Sequence, residues 1–130
     1  INYVTTVRFV DAYRAAEIFN EQGVETVYSL GAGDCRAELY LVDRGFDVTA
    51  YELNPVLVDM INTEFEVANF ELREQDYHAE FEQLVDTDVG YLIIGGNNKP
   101  PRIPEQGTLI EGYSEMGVRA YQDGTPYRKW

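Results

Sequence analysis

The feature that most constrains the fold is the segment Val24–Pro55, where a strand, a glycine turn, a helix and a second strand follow one another. Val24–Leu30 is rich in β-branched and aromatic residues and runs directly into the turn Gly31–Cys35. A helix, Arg36–Arg44, and a second strand, Phe46–Tyr51, come next. This order predicts two parallel strands joined by a helix that covers one face of a sheet.

The rest of the chain continues the alternation of helices and strands. The further predicted elements are helix Thr6–Phe19, helix Val56–Phe65, strand Phe70–Glu74, short helix His78–Leu84, strand Val89–Ile94, strand Thr108–Tyr113, and a hairpin within Val118–Tyr127 that turns at Asp123-Gly124. The predicted fold class is α/β, a three-layer sandwich around a mainly parallel, doubly wound sheet of about five to seven strands. We expect residues 1–130 to form a single domain, because 130 residues suit one core.

The start of the third helix carries the clearest local signals. Asn54 is a good N-cap, and Pro55 fits the first helical position. Apolar residues recur behind them at helical spacing. The residues predicted to face inward are Leu57, Met60, Ile61 and Phe65.

Charge limits the partners of the chain. Ten Lys and Arg stand against 23 Asp and Glu, so the net charge is -13 and the isoelectric point is near 4.3. Such a surface repels phosphate backbones, so direct binding of nucleic acid is not expected. The same composition fits a protein adapted to molar salt or an acidic protein at ordinary salt, and both interpretations stay open.

The low counts of cysteine and histidine and the lack of a long apolar run exclude several classes of protein. Cys35 is the one cysteine and His78 the one histidine, which excludes disulfide scaffolds, thiolate zinc sites and two-histidine metal motifs. Cys35 is interpreted as a packing residue. The sequence has no run of about 18 apolar residues and no signal-peptide pattern, so a cytoplasmic protein without a membrane span is expected. The chain begins with Ile1 rather than Met, which leaves open whether further residues precede it.

A binding site is predicted at the carboxyl ends of the strands, where ligands of open parallel sheets bind. Gly31 and Gly33 allow a sharp turn and a close approach of backbone to ligand. Glu52 ends the second strand, where a carboxylate can accept hydrogen bonds from both hydroxyls of a ribose. Together these residues describe half of a nucleoside-binding site.

The stretch VYSLGAGDCRAELYLVDRGFDVTAYELNP resembles the class I S-adenosylmethionine-dependent methyltransferases. The resemblance implies S-adenosyl-L-methionine as cofactor, with Glu52 holding the ribose. It implies a turn around the methionine and ribose formed by Gly31, Ala32, Gly33 and Asp34. It places the adenine near Asp76 and Tyr77, completes the cofactor set with Ser29, Leu53 and Gly95, and lines the methyl-acceptor side with Asn97 and Asn98.

The sequence departs from this family's pattern at identifiable places. Ser29 stands where the family usually has an acid that contacts the methionine, and Cys35 stands at the third glycine position of the turn. The strands that usually follow the fifth are expected to be nearly absent, and the helix before the fifth is reduced to NKPPRI. Asp76 also fits a helix N-cap, and Asn97 and Asn98 also fit turn positions.

The leading hypothesis is therefore a methyltransferase that acts on a small molecule or a protein. The shortened pattern leaves a second hypothesis, a non-catalytic module that binds the nucleoside, with a homodimer or a partner subunit completing the pocket. A third is a fragment of an NAD(P)-binding oxidoreductase, although Arg36 occupies a position where the dinucleotide fingerprint wants glycine or alanine.

Overall fold

A computed structural model describes residues 9–31, 35–76, 89–94, 102–113 and 117–129. Its elements are α1 (Phe9–Glu21), β1 (Thr26–Leu30), α2 (Arg36–Asp43), β2 (Asp47–Glu52), α3 (Pro55–Glu64), β3 (Phe70–Glu74), β4 (Gly90–Ile94), β5 (Thr108–Tyr113), β6 (Gly117–Gln122) and β7 (Thr125–Lys129). The bounds agree with the sequence prediction to within a few residues wherever both can be compared. The predicted helix His78–Leu84 lies outside the described residues.

The strands form one seven-stranded sheet in the order β3-β2-β1-β4-β5-β6-β7. The first five are parallel, whereas β6 pairs antiparallel with β5 and β7 antiparallel with β6. Strand order reverses at β1, because β2 and β3 lie on one side of it and β4 on the other. The predicted α/β class with a mainly parallel sheet is confirmed.

The carboxyl-terminal part of the sheet is more complete than the sequence led us to expect. Two strands follow β5, and they meet at the predicted Asp123-Gly124 turn. Both turn residues have positive φ, 49° and 82°, as a tight hairpin turn with the twist of the strands requires. The Asp123 carboxylate accepts a hydrogen bond from the Gly107 amide at 2.9 Å, which ties the hairpin to the loop before β5.

All three helices of the described residues cover the same face of the sheet. Helices α1 and α2 pack on Val27, Val48 and Leu92, while α3 packs on Ala50 and Leu72. Val48 and Ala50 are two residues apart in β2, so their side chains point to the same face. This arrangement follows from right-handed connections between β1, β2 and β3, which advance in one direction across the sheet.

The opposite face carries its own apolar cluster. Its buried members are Leu30, Tyr51, Tyr91, Ile93 and Leu109. In β4, Tyr91 and Ile93 belong to this face and Leu92 belongs to the helical face. The continuous apolar run of this strand thus reflects burial on both faces, as predicted.

The predicted inward face of α3 was partly wrong. Leu57 and Ile61 are buried as expected, and Val58 is buried with them. Met60, in contrast, is half exposed, because the face that meets Ala50 and Leu72 is centred on Leu57, Val58 and Ile61, and Met60 lies to one side of it. Phe65 is also half exposed, since the helix ends at Glu64 and the extended backbone of Phe65 turns its side chain away.

Candidate functional site

The glycine turn begins at the carboxyl end of β1, and its first residue is hydrogen-bonded to β2. Gly31 has a φ of 80°, a conformation that glycine adopts without steric cost. Its amide donates a hydrogen bond of 2.9 Å to the carbonyl of Tyr51, the residue that precedes Glu52. This bond brings the first residue of the turn beside the end of β2. Three further residues assigned to the turn, Ala32, Gly33 and Asp34, lie outside the described residues.

The turn ends at Cys35, which takes a conformation typical of glycine. Cys35 is the N-cap residue of α2, with a left-handed φ of 64° and ψ of 20°. For a residue with a side chain this conformation costs about 1 kcal/mol. Its thiol is fully buried in the cluster formed by Ala50, Val58 and Leu72, as expected of a packing residue. Because α2 begins immediately afterwards, its amino-terminal end, the positive end of the helix dipole, lies at the same edge of the sheet as the turn.

A buried carboxylate lies beneath the first turn of α2. The Ser29 hydroxyl donates a hydrogen bond to Glu38, and both side chains are almost fully buried. Ser29 shares a face with Val27, so the pair is enclosed between β1 and α2. Sequence reasoning singled out Ser29 and missed Glu38. The available signal was an acid in the first helical turn, where the helix dipole favours negative charge.

Glu52 is held at the end of β2 by the turn that follows it. Its side chain is half-buried and accepts a hydrogen bond of 2.9 Å from the Asn54 amide. Asn54 in turn accepts a hydrogen bond of 3.0 Å from the Val56 amide and caps α3, with Pro55 at the first position as predicted. Leu53 lies between the two and leaves 61% of its side chain exposed. A carboxylate and an apolar surface therefore stand side by side at this edge.

The described candidates line up along neighbouring strands. Glu52 pairs in register with Glu74, the last residue of β3, and Asp76 follows two residues later as an exposed side chain. Along the sheet edge the order is thus Asp76 after β3, Glu52 at the end of β2 and Gly31 after β1. Four more candidates, Tyr77, Gly95, Asn97 and Asn98, lie outside the described residues.

A parallel sheet that reverses at β1, with a glycine turn and an acid at adjacent strand ends, defines the Rossmann-like fold of the class I S-adenosylmethionine-dependent methyltransferases. The model of one family of this class, Tellurite resistance protein TehB, matches residues 2–93. This match spans more than half of the chain, and the chain belongs to that family. Comparison with curated proteins gives no match.

Several solved structures that share this fold carry the names of methyltransferases. A putative caffeoyl-CoA O-methyltransferase from Staphylococcus aureus superposes with a TM-score of 0.61 at 14% identity, over 81% of this chain and 57% of that chain. A putative methyltransferase from an antibiotic biosynthesis pathway of Anabaena variabilis gives 0.55 at 21% identity, over 78% and 44%. A putative S-adenosylmethionine dependent methyltransferase from Listeria monocytogenes gives 0.54 at 11% identity, over 80% and 55%.

These comparisons establish the fold and the cofactor of the class, S-adenosylmethionine. The chain spans about half the length of the solved structures that it matches. No helix among the described residues is both long and apolar enough to cross a membrane.

Proposed function

We propose that the chain binds S-adenosylmethionine at the carboxyl edge of β1, β2 and β3 and transfers its methyl group to a small molecule or a protein. The observation that carries the proposal is the bond between the Gly31 amide and the Tyr51 carbonyl, which sets the glycine turn next to Glu52. A nucleoside lying across two adjacent strand ends would meet both features at once.

The residues at this edge fit the chemistry of the cofactor. The Glu52 carboxylate suits the two ribose hydroxyls, and its bond to the Asn54 amide fixes the side chain for that role. Leu53 offers an exposed apolar surface to the adenine ring, and Asp76 lies on the β3 side, where the adenine amino group would be. The turn Gly31–Asp34 would then face the ribose and the methionine, on the side of β1.

The proposed reaction does not require side chains that activate the methyl group. S-adenosylmethionine carries a methyl group already activated on a sulfonium, so the residues of the chain have to bind, orient and exclude water. The net charge of -13 favours a neutral or cationic acceptor over a nucleic acid. In the proposal, Asn97 and Asn98 line the acceptor side beyond β4.

A second candidate function is a nucleoside-binding module without activity of its own. The observation behind it is that the described candidates Gly31, Glu52 and Asp76 all belong to the proposed cofactor side, so binding of the nucleoside alone would use all three. Residues that close the acceptor pocket would then come from a second copy or from a partner subunit.

Calorimetric titration with S-adenosylmethionine, S-adenosylhomocysteine and NAD tests the proposed site. We expect the first two to bind with micromolar affinity or better and NAD not to bind, because the side chains of Cys35 and Arg36 interrupt the glycine pattern that a pyrophosphate needs. Binding of NAD in preference to the other two would favour an oxidoreductase fragment. If none of the three ligands binds, the proposal is wrong.

We also propose that the acidic surface is matched to high salt. At about 0.1 M salt the Debye length is about 10 Å, and at about 1 M it is about 3 Å, so repulsion among the carboxylates falls steeply over this range. Raising KCl from about 0.1 to about 2 M should therefore raise Tm by about 5 °C or more. A variant with Asp59→Asn, Glu64→Gln and Glu66→Gln should show a smaller rise. An equal rise in both proteins, or a flat Tm, would contradict this explanation.

A further inference from the structure

An apolar stripe lies on the outer face of α3 and is not used by the core. Seven large hydrophobic side chains are exposed in the described part of the chain, and five of them fall between residues 53 and 67. They are Leu53 at 61%, Val56 at 71%, Met60 at 45%, Phe65 at 46% and Val67 at 37%. Scattered exposed apolar residues need no explanation, but a concentration of this kind marks an interaction surface.

The stripe is continuous along the start of the helix. Val56 and Met60 are one helical turn apart and therefore lie on the same face. Leu53 precedes the helix and lies between this face and Glu52 in the chain. The core of α3 is made by Leu57, Val58 and Ile61 on the other side. We call Val56 and Met60 the α3 stripe.

The sequence on both sides of the α3 stripe is acidic. Between Arg44 and Arg73 the sequence contains no lysine or arginine and six acids. Those acids are Asp47, Glu52, Asp59, Glu64, Glu66 and Glu71. By helical geometry Asp59 lies to one side of the Val56–Met60 line and Glu64 to the other, and both are exposed.

The two arginines at the ends of this acidic segment, Arg44 and Arg73, interact with side chains of the same chain. The Arg73 guanidinium forms a salt bridge of 2.5 Å with the Glu71 carboxylate and lies over the Tyr51 ring. The Arg44 guanidinium carbon lies 4.7 Å from the centre of the Tyr40 ring. The Arg73 guanidinium lowers the pKa of Glu71, so that carboxylate is ionised at neutral pH. On α3 itself, the apolar pair Val56 and Met60 is thus flanked by the exposed acids Asp59 and Glu64.

We propose that the α3 stripe is a docking surface for a basic amphipathic helix of a partner protein. Apolar side chains of such a helix would cover Val56 and Met60, while lysines or arginines on its flanks would meet Asp59 and Glu64. A second copy of this chain fits less well, because a two-fold interface would set the same acids against each other. Since Leu53 directly follows Glu52, a docked helix would touch the rim of the proposed cofactor site.

The proposal can be tested with a synthetic probe. A helical peptide with leucines on one face and lysines on both flanks is titrated against the whole chain, with fluorescence anisotropy as the readout. We expect micromolar binding to the wild type and binding about tenfold weaker or more to Val56→Gln/Met60→Gln, which keeps the net charge. Tyr13→Gln removes an exposed aromatic on α1 and should bind like the wild type. A peptide with glutamates in place of lysines should not bind.

Two outcomes would overturn the proposal. Equal affinity of the wild type and Val56→Gln/Met60→Gln would mean that the peptide is held by general charge attraction alone. Sedimentation that shows a dimer of the wild type, dissociated by the same double variant, would assign the stripe to a second copy. Failure of this proposal is distinguishable from failure of the cofactor site, because the double variant keeps Glu52 and Leu53 and should titrate with S-adenosylhomocysteine as the wild type does.

Discussion

Replacing Glu52 by alanine is expected to weaken binding of S-adenosylmethionine about 100-fold. A charged acceptor that bonds two ribose hydroxyls contributes about 3 kcal/mol, and each 1.4 kcal/mol corresponds to about tenfold in affinity. The loss should be the same for S-adenosylhomocysteine, because the two ligands share the ribose. Isothermal titration of both ligands measures the effect directly.

Two companion variants separate the loss of the carboxylate from other causes. Glu25→Ala changes the net charge by the same amount at the opposite edge of the sheet, ahead of β1, and should bind like the wild type. Glu52→Gln keeps an oxygen acceptor for the Asn54 amide, so its folding should be unaffected while its affinity falls to an intermediate value. Unchanged affinity of a folded Glu52→Ala variant would mean that the ribose lies elsewhere.

Replacing Ser29 by alanine is expected to destabilise the protein by about 2 kcal/mol, because a buried carboxylate loses a hydrogen-bond donor. Ser29 and Glu38 are both enclosed between β1 and α2, where solvent does not replace the lost hydroxyl. For a chain of this size such a change lowers Tm by about 8 °C. Urea unfolding of the purified protein, analysed by linear extrapolation, gives the free energy of unfolding.

A double-mutant cycle shows whether the charge of Glu38 is responsible. In a Glu38→Gln background, Ser29→Ala should cost about 1 kcal/mol, since a hydrogen bond between neutral groups contributes less than one to a carboxylate. The predicted coupling is therefore about 1 kcal/mol. A Ser29→Ala variant as stable as the wild type in both backgrounds would show that the pair does not stabilise the fold.

Local patterns in the sequence predicted most of the elements, because each pattern has one physical cause. The apolar run of β4 reflects burial on two faces, Asn54 and Pro55 define the start of α3, and Asp123-Gly124 supplies the positive φ of a hairpin turn. Gly31 and Glu52 were predicted as neighbours because parallel strands end at one edge of a sheet, and the structure brings their turns together.

The features that the sequence did not predict depend on contacts between elements distant along the chain. The hydrogen bond between Ser29 and Glu38 joins β1 to α2. It depends on which face of α2 turns toward the sheet, and the spacing of residues in the sequence does not determine that face. The same holds for α3, where packing on Ala50 and Leu72 decided which apolar residues turned inward and left Met60 outside. Strand β6 joins the sheet by pairing with β5, and β7 joins it by pairing with β6. The Asp123-Gly124 turn predicted the hairpin itself, but the turn does not determine that the hairpin extends the sheet next to β5.

The most direct test of the central claim is a crystal structure of the protein grown with S-adenosylhomocysteine. We predict the adenosine across the ends of β1 and β2, with both ribose hydroxyls within hydrogen-bond distance of the Glu52 carboxylate and the amino-acid part on the side of Gly31. A ligand bound at any other place would contradict the site proposed for this chain. So would an empty site in crystals grown from protein that was saturated with the ligand in solution.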